Sequence, residues 1–163
     1  MNRASLIGLS LALLPACAMF SGQPGFFESV DDQGQPSGYH SKLEAYEATD
    51  SLDALPAMEE AYYNALNAPP PQWNGRIYNG TLPAGMTRDE KTGQISADSS
   101  ATMTPIARFR LHFYNRKDRR AYEPDLKRLA VLAKADAMYI ELGPGKNGHI
   151  SFRRVYGTFF QQK

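Results

Sequence analysis

The residues of this chain that could do chemistry are mainly cations. Arg108, Arg110 and His112 alternate with Ala107, Phe109, Leu111 and Phe113 between Ile106 and Tyr114. A period of two is the signature of a half-buried strand, so the two arginines and the histidine share its solvent face. Arg116, Lys117, Arg119 and Arg120 follow directly, and Arg153 and Arg154 join the row if the last strand pairs nearby. Guanidinium forks match carboxylate and phosphate oxygens, and Tyr114 offers a ring beside them. The chemistry predicted is anion binding. The competing role for the same charges is a solvated face that keeps the domain soluble.

Other chemistry finds less support. No Gly-x-Ser-x-Gly elbow occurs, and the single cysteine, Cys17, lies at an expected N-terminal cleavage point. His40, His112 and His149 form no ligand-spaced pair. Gly143 to Gly148 holds a lysine among glycines but lacks the Gly-Lys-Ser/Thr ending of a phosphate loop, so a hairpin turn is expected. Pro124-Asp125 with Glu141 lacks the lysine that a metal-dependent nuclease places two residues later, where Gly143 stands. The expectation is a non-catalytic protein without metal or cofactor. The alternative is a cell-wall-acting enzyme of glycosidase type drawing on Glu123, Asp125 and Glu141.

The N-terminus predicts where the protein goes. Arg3 precedes a short apolar run, Leu6 to Leu14, and Leu14-Pro15-Ala16-Cys17 follows. A secretory signal has this order of charge, apolar core and small residues, and the run is too short to span a bilayer. Leu14, Ala16 and Cys17 resemble the lipobox of bacterial lipoproteins, with Pro15 a departure. The resemblance implies cleavage before Cys17, acylation of that cysteine, and attachment through the lipid; Ala18 behind it implies the outer membrane under proteobacterial sorting rules. Ala16-Cys17-Ala18 also fits ordinary signal peptidase, which would release a soluble periplasmic or secreted protein from near Met19. Partners expected on this reading are the membrane through the anchor, and an envelope protein or an anionic wall or outer-membrane component. A third reading is an anion or nucleic-acid binder in an uptake or transfer system.

The elements that must position these groups read as an α+β fold: a small, mostly antiparallel sheet with a packed helix, preceded by an acidic helical segment and a flexible tether. Residues 1–16 are the signal and 17–40 the tether, rich in Gly and Pro, with Phe26 and Phe27 free to meet a membrane or the domain. Residues 41–163 form one domain, with 41–67 helical, 68–73 a proline-rich link, and strand, helix and hairpin over 76–163. Ser41 and Glu44 read as a capping box, and Leu55, Met58, Tyr62, Ala65 and Leu66 recur at helical spacing from Ala54. Gly80 to Ser96 resembles the recurrent stretch of bacterial Ig-like repeats, too short to fix a fold; its Asp89-Glu90-Lys91-Thr92-Gly93 predicts a tight reversal. Leu126, Leu129, Ala130 and Ala133 give a helix opened by Pro124, and Met138–Leu142 and Ile150–Phe160 two strands, the second expected to bulge at Arg153-Arg154. Charge is divided along the chain. Glu28 to Glu60 carries nine acids against one lysine, and Thr104 to Lys163 thirteen basic residues against five acids. The acidic stretch is expected to pack beside the basic face of its own chain or of a neighbour; the rival is an anionic partner for the basic half.

Overall fold

The structure is a computed structural model that describes residues 25–51, 53–115, 122–143 and 152–163. Among them the chain forms β1 (Phe27–Val30), β2 (Pro36–Ala48), α1 (Ala54–Leu66), β3 (Arg76–Asn79), β4 (Met86–Arg88), β5 (Ile95–Ala97), β6 (Met103–Asn115), α2 (Glu123–Leu132), β7 (Ala137–Leu142) and β8 (Phe152–Gln162). Six strands make one sheet in the order β1-β2-β6-β8-β7-β3, antiparallel except where β3 lies beside β7. β4 and β5 pair as a separate hairpin. This is the α+β fold that the residue pattern predicts, a mostly antiparallel sheet with a packed helix.

The two faces of the sheet differ. Leu43 and Tyr46 of β2, Leu111 and Phe113 of β6, Met138 and Ile140 of β7, and Val155 and Phe159 of β8 form the main core with Tyr62 and Leu66 of α1 and Leu126, Leu129 and Ala130 of α2. On the other face, Met86 and Ile95 of the β4–β5 hairpin pack with Met103, Ala137, Tyr139 and Phe160. The hairpin covers only one end of that face. Its remainder, over β2, β6 and the start of β8, carries the charged residues. A register shift between Pro105 and Ala107 sets the phase of β6. It lets Met103 face the hairpin core while Ala107, Phe109 and Leu111 face the helices, so that Arg108, Arg110 and His112 share the open face.

α1 begins and ends where the periodicity places it, with Tyr62 and Leu66 buried. The connection to β3 must cross from β2 to the far edge, four inter-strand steps of about 4.8 Å each. Residues 67–75 supply it, stiffened by Pro69-Pro70-Pro71 at about 3.1 Å per residue and pinned where Trp73 Nε1 donates to the Ala135 carbonyl at 2.7 Å. α2 ends in a Schellman motif: Ala135 N–H bonds the Ala130 carbonyl, Lys134 N–H bonds that of Val131, and Lys134 takes the left-handed conformation at φ 54. The chain is thereby turned directly into β7.

Three expectations are corrected. Residues 41–48 are strand, not helix, and Ser41 caps nothing; its hydroxyl is buried and bonded within the core. A register shift between Leu43 and Ala45 is the cause. It breaks the alternation and leaves Leu43 and Tyr46 three apart on one face, a spacing that imitates a helix. Residues 25–40 are folded rather than a tether. β1 and β2 form a hairpin whose turn is closed by Gly34 N–H on the Asp31 carbonyl and by Gln33 and Gln35 N–H on Asp31 Oδ1. Phe27 stacks on Tyr63 at 3.9 Å, and Phe26 meets the edge of His112 at 5.0 Å, so both phenylalanines dock on the domain. Finally, β8 runs in regular register past Arg153 and Arg154, opposite Phe113 and His112, with no bulge there. The 17–24 part of the tether, residues 144–148 of the expected turn and residues 150–151 of the expected last strand lie outside the described residues.

Between the sheet and the helices sits a polar cluster at zero or near-zero exposure. Arg128 Nη1 donates to Asp125 Oδ1 at 2.7 Å, and Arg128 Nη2 donates to the carbonyls of Val30 and Ala68, each at 2.7 Å. The Ser41 hydroxyl donates to Asp125 Oδ2 at 2.9 Å, with the Tyr62 hydroxyl 2.8 Å behind it. One guanidinium thus ties the end of β1, the exit of α1 and the first turn of α2 together.

Candidate functional site

The open face brings together four of the cations nominated from sequence. β6 lies between β2 and β8, with Glu47 opposite Arg108, Ala45 opposite Arg110, and Arg154 opposite His112. Glu44 is the hub. Its carboxylate receives Arg110 Nε and Arg154 Nε on Oε2, each at 3.0 Å, and contacts His112 Nδ1 through Oε1 at 3.1 Å. Glu47 lies 3.7 Å from Arg108 Nη1, beyond hydrogen-bond reach, while Arg108 Nη2 donates to the Thr92 carbonyl at 3.1 Å. The acidic stretch therefore lies beside the basic row of its own chain, as strand β2.

Electrostatics follow from that contact. Burial alone would raise the Glu44 carboxyl, but the Arg154 hydrogen bond and the charges of His112, Arg154 and Arg110 outweigh it and hold the group below its ordinary value. His112 is pushed down, first by burial and then by Arg154, with Glu44 pulling the other way. The Glu44→Gln variant should therefore lower the His112 titration further. Following the imidazole Cε1 resonance against pH checks this, and an upward shift would mean that Glu44 does not act on the ring.

Ion pairing does not remove the face's capacity for anions. Exposed pairs contribute about 0–1 kcal/mol, whereas a hydrogen bond to a charged group contributes about 1.5–3 kcal/mol. Arg108, Arg110 and Arg154 are each more than 40% exposed at the side chain. A ligand oxygen that adds a bond to one of these forks gains more than a displaced surface pair loses.

Next to the row, the β4–β5 hairpin overhangs the sheet. Its turn is built by Asp89, whose Oδ1 accepts Lys91 and Thr92 N–H and whose carbonyl accepts Gly93 N–H, with Gly93 at φ 68. The expected reversal is thus present, with its glycine in the left-handed region. Beneath the turn lies an open cleft of about 310 Å³, bordered by Arg88, Lys91, Arg108, Tyr139, Glu141 and Tyr156. A second cleft of about 320 Å³, with Glu47 and Gln94 on its walls, shares Arg108. Arg88 was not singled out from sequence. Glu141 binds it at 2.8 Å across the cleft and, with Tyr139, raises its pKa. Its only sequence signal is its place one residue before the Asp89 turn.

Of the carboxylates named for a glycosidase, Glu141 borders the cleft, Asp125 is buried on the helix side, and Glu123 is exposed at the start of α2. They do not converge. His40 stacks over Tyr114 at 6.3 Å, and among the described residues no group of three or more His, Cys, Asp or Glu is placed to hold a metal. No described helix is long and apolar enough to cross a membrane. Cys17, Arg116, Lys117, Arg119, Arg120 and the side chain of Arg153 lie outside the described residues. No protein-family model, curated protein or solved structure matches this chain.

Proposed function

We propose that the protein is a non-catalytic lipoprotein of the bacterial outer membrane, anchored through Cys17, that holds an anionic envelope component against its open sheet face. The observation that carries the binding half is the exposed row of Arg108, Arg110 and Arg154, the last two fixed in orientation by Glu44 and the first by the Thr92 carbonyl, bordered by Tyr156 at 41% exposure. The order of charge, apolar run and Leu14-Pro15-Ala16-Cys17 supports the anchoring half. Two signals make such attachment stable, and multiple acyl chains on one cysteine meet that requirement.

An intact mass of protein extracted from native membranes should show Cys17 as the first residue, carrying acyl mass that the Cys17→Ser variant lacks. Unlipidated protein beginning near Met19 would reject the anchor. Co-sedimentation with envelope fragments should fall steeply with added salt, and Arg110→Ser with Arg154→Ser should weaken it about tenfold or more. Binding indifferent to both would reject the anionic partner.

A further inference from the structure

We propose that the cleft beneath the 89–94 turn is a phosphomonoester-binding site whose two forks are Arg88 and Arg108. This rests on the reading that the open face meets an anionic envelope component, and it assigns the chemical group recognised. A Cβ built on Gly93 would lie 3.6 Å from Arg88 Nη2, 3.8 Å from Arg108 Nη2 and 3.9 Å from Arg88 Nε. Two guanidinium groups therefore lie within 4 Å of one point on the cleft wall beside Gly93.

Each fork is aimed by a fixed contact. Glu141 holds Arg88 through Nη1 alone, at 3.0 Å and 2.8 Å, so the Nε–Nη2 edge is the one turned to Gly93. Arg108 is oriented by the Thr92 carbonyl of the same turn, and its nearest carboxylate oxygen is the 3.7 Å contact to Glu47. Among the described residues Arg108 thus has no hydrogen-bonded counter-ion, and Lys91 adds a third cation to the cleft wall.

The geometry favours phosphate over carboxylate. One fork satisfies both oxygens of a carboxylate, whereas three terminal phosphate oxygens can take the Arg88 edge on two and Arg108 on the third. Tyr156, at the rim, gives an apolar surface to the group that carries the phosphate. That carrier is a sugar or a lipid headgroup, and both present the same phosphomonoester.

The test is a titration of the full chain in neutral detergent micelles, read from the amide resonances of Thr92 and Gly93 at constant ionic strength. The probes are glucose 1-phosphate and acetate, with vesicles containing phosphatidic acid, or phosphatidylcholine alone, as the lipid arm. Glucose 1-phosphate should shift both amides saturably and bind about tenfold tighter than acetate. Arg88→Gln and Arg108→Gln should each weaken it about tenfold with Tm unchanged. Saturation by phosphatidic acid alone would support the site with a lipid source, and saturation by the sugar phosphate alone would support it with a glycan source. Acetate binding as well as phosphate, no response to either phosphate, or full binding by both variants would overturn it. The Arg110→Ser and Arg154→Ser changes separate the two readings. Loss of envelope binding on those changes, with no phosphate response at Gly93, rejects this cleft and leaves the anionic face standing; the converse rejects the face as the partner surface.

Discussion

Replacing Arg128 with methionine is expected to destabilise the domain by about 3–5 kcal/mol, the cost of breaking one side of a buried ion pair. The cost arises in three places at once. Asp125 loses the donor at Oδ1, and the carbonyls of Val30 and Ala68 lose the Nη2 donor they share. An orphaned buried acceptor costs about 1–3 kcal/mol; Asp125, at zero exposure, bears this in full, whereas Val30 is half-buried and Ala68 exposed. Urea unfolding of the wild type, Arg128→Met, Asp125→Asn and the double variant measures the coupling. A loss below 1 kcal/mol in Arg128→Met would show that the cluster does not hold β1, α1 and α2 together.

The same cluster sets a pH dependence. Burial pushes the Asp125 carboxyl up to about 7, while Arg128 and Ser41 pull it down without prevailing. An ordinary aspartate titrates near 4. A group raised on folding favours the folded state fully below its unfolded value, and loses that advantage as pH climbs through the folded one. Wild-type stability should therefore decline from about pH 4 to about pH 7 relative to Asp125→Asn. Parallel profiles for the two proteins would contradict this.

The second large effect is expected from Gly157→Ala. Gly157 lies in the middle of β8, opposite Phe109 on β6 and Ile140 on β7. A methyl group there would overlap the ring edge of Phe109 and approach the Tyr139 carbonyl to 2.7 Å. The ring cannot simply turn aside, because it stacks on Phe159 at 4.5 Å in the buried core, and the carbonyl belongs to a paired strand. Overpacking of this kind costs about 1–3 kcal/mol, and contact with backbone places this site at the upper end. Tm should fall by about 10 °C. Shortening the opposing side chain in Phe109→Leu should recover part of the loss in the double variant, a coupling that additive effects would deny.

Where a hydrophobic period runs unbroken, the residues alone specified the element. β6 alternates through Ala107, Phe109, Leu111 and Phe113, α1 repeats from Leu55 to Leu66, and α2 turns Leu126, Leu129 and Ala130 inward; each forms where its pattern puts it. The turn at Asp89–Gly93 was legible for the same local reason, since an Asx side chain and a left-handed glycine act within a few residues. β2 was misread because a bulge between Leu43 and Ala45 changes which face each residue meets, and only the partner strand fixes a bulge. β1 was missed because four strand residues among Gly25, Gly34 and Gly38 carry too little pattern to outweigh the turns around them.

The cations of the open face were visible as a row, with the acidic stretch expected beside them, but the particular partners were not legible. Glu44 meets His112 across 68 positions and Arg154 across 110, and Arg88 meets Glu141 across 53. Periodicity says which side of a strand a charge occupies; it cannot say which strand lies next to it. Sheet order decides that, and it is set by how the whole core closes. The sequence by itself determined the fold class and the basic row. Tertiary structure alone decided that β2 lays its carboxylates along that row, and that a hairpin turn brings Arg88 and Arg108 to one point over Gly93. Long-range strand pairing, paid for by burial of the apolar face, carries no local mark in the chain.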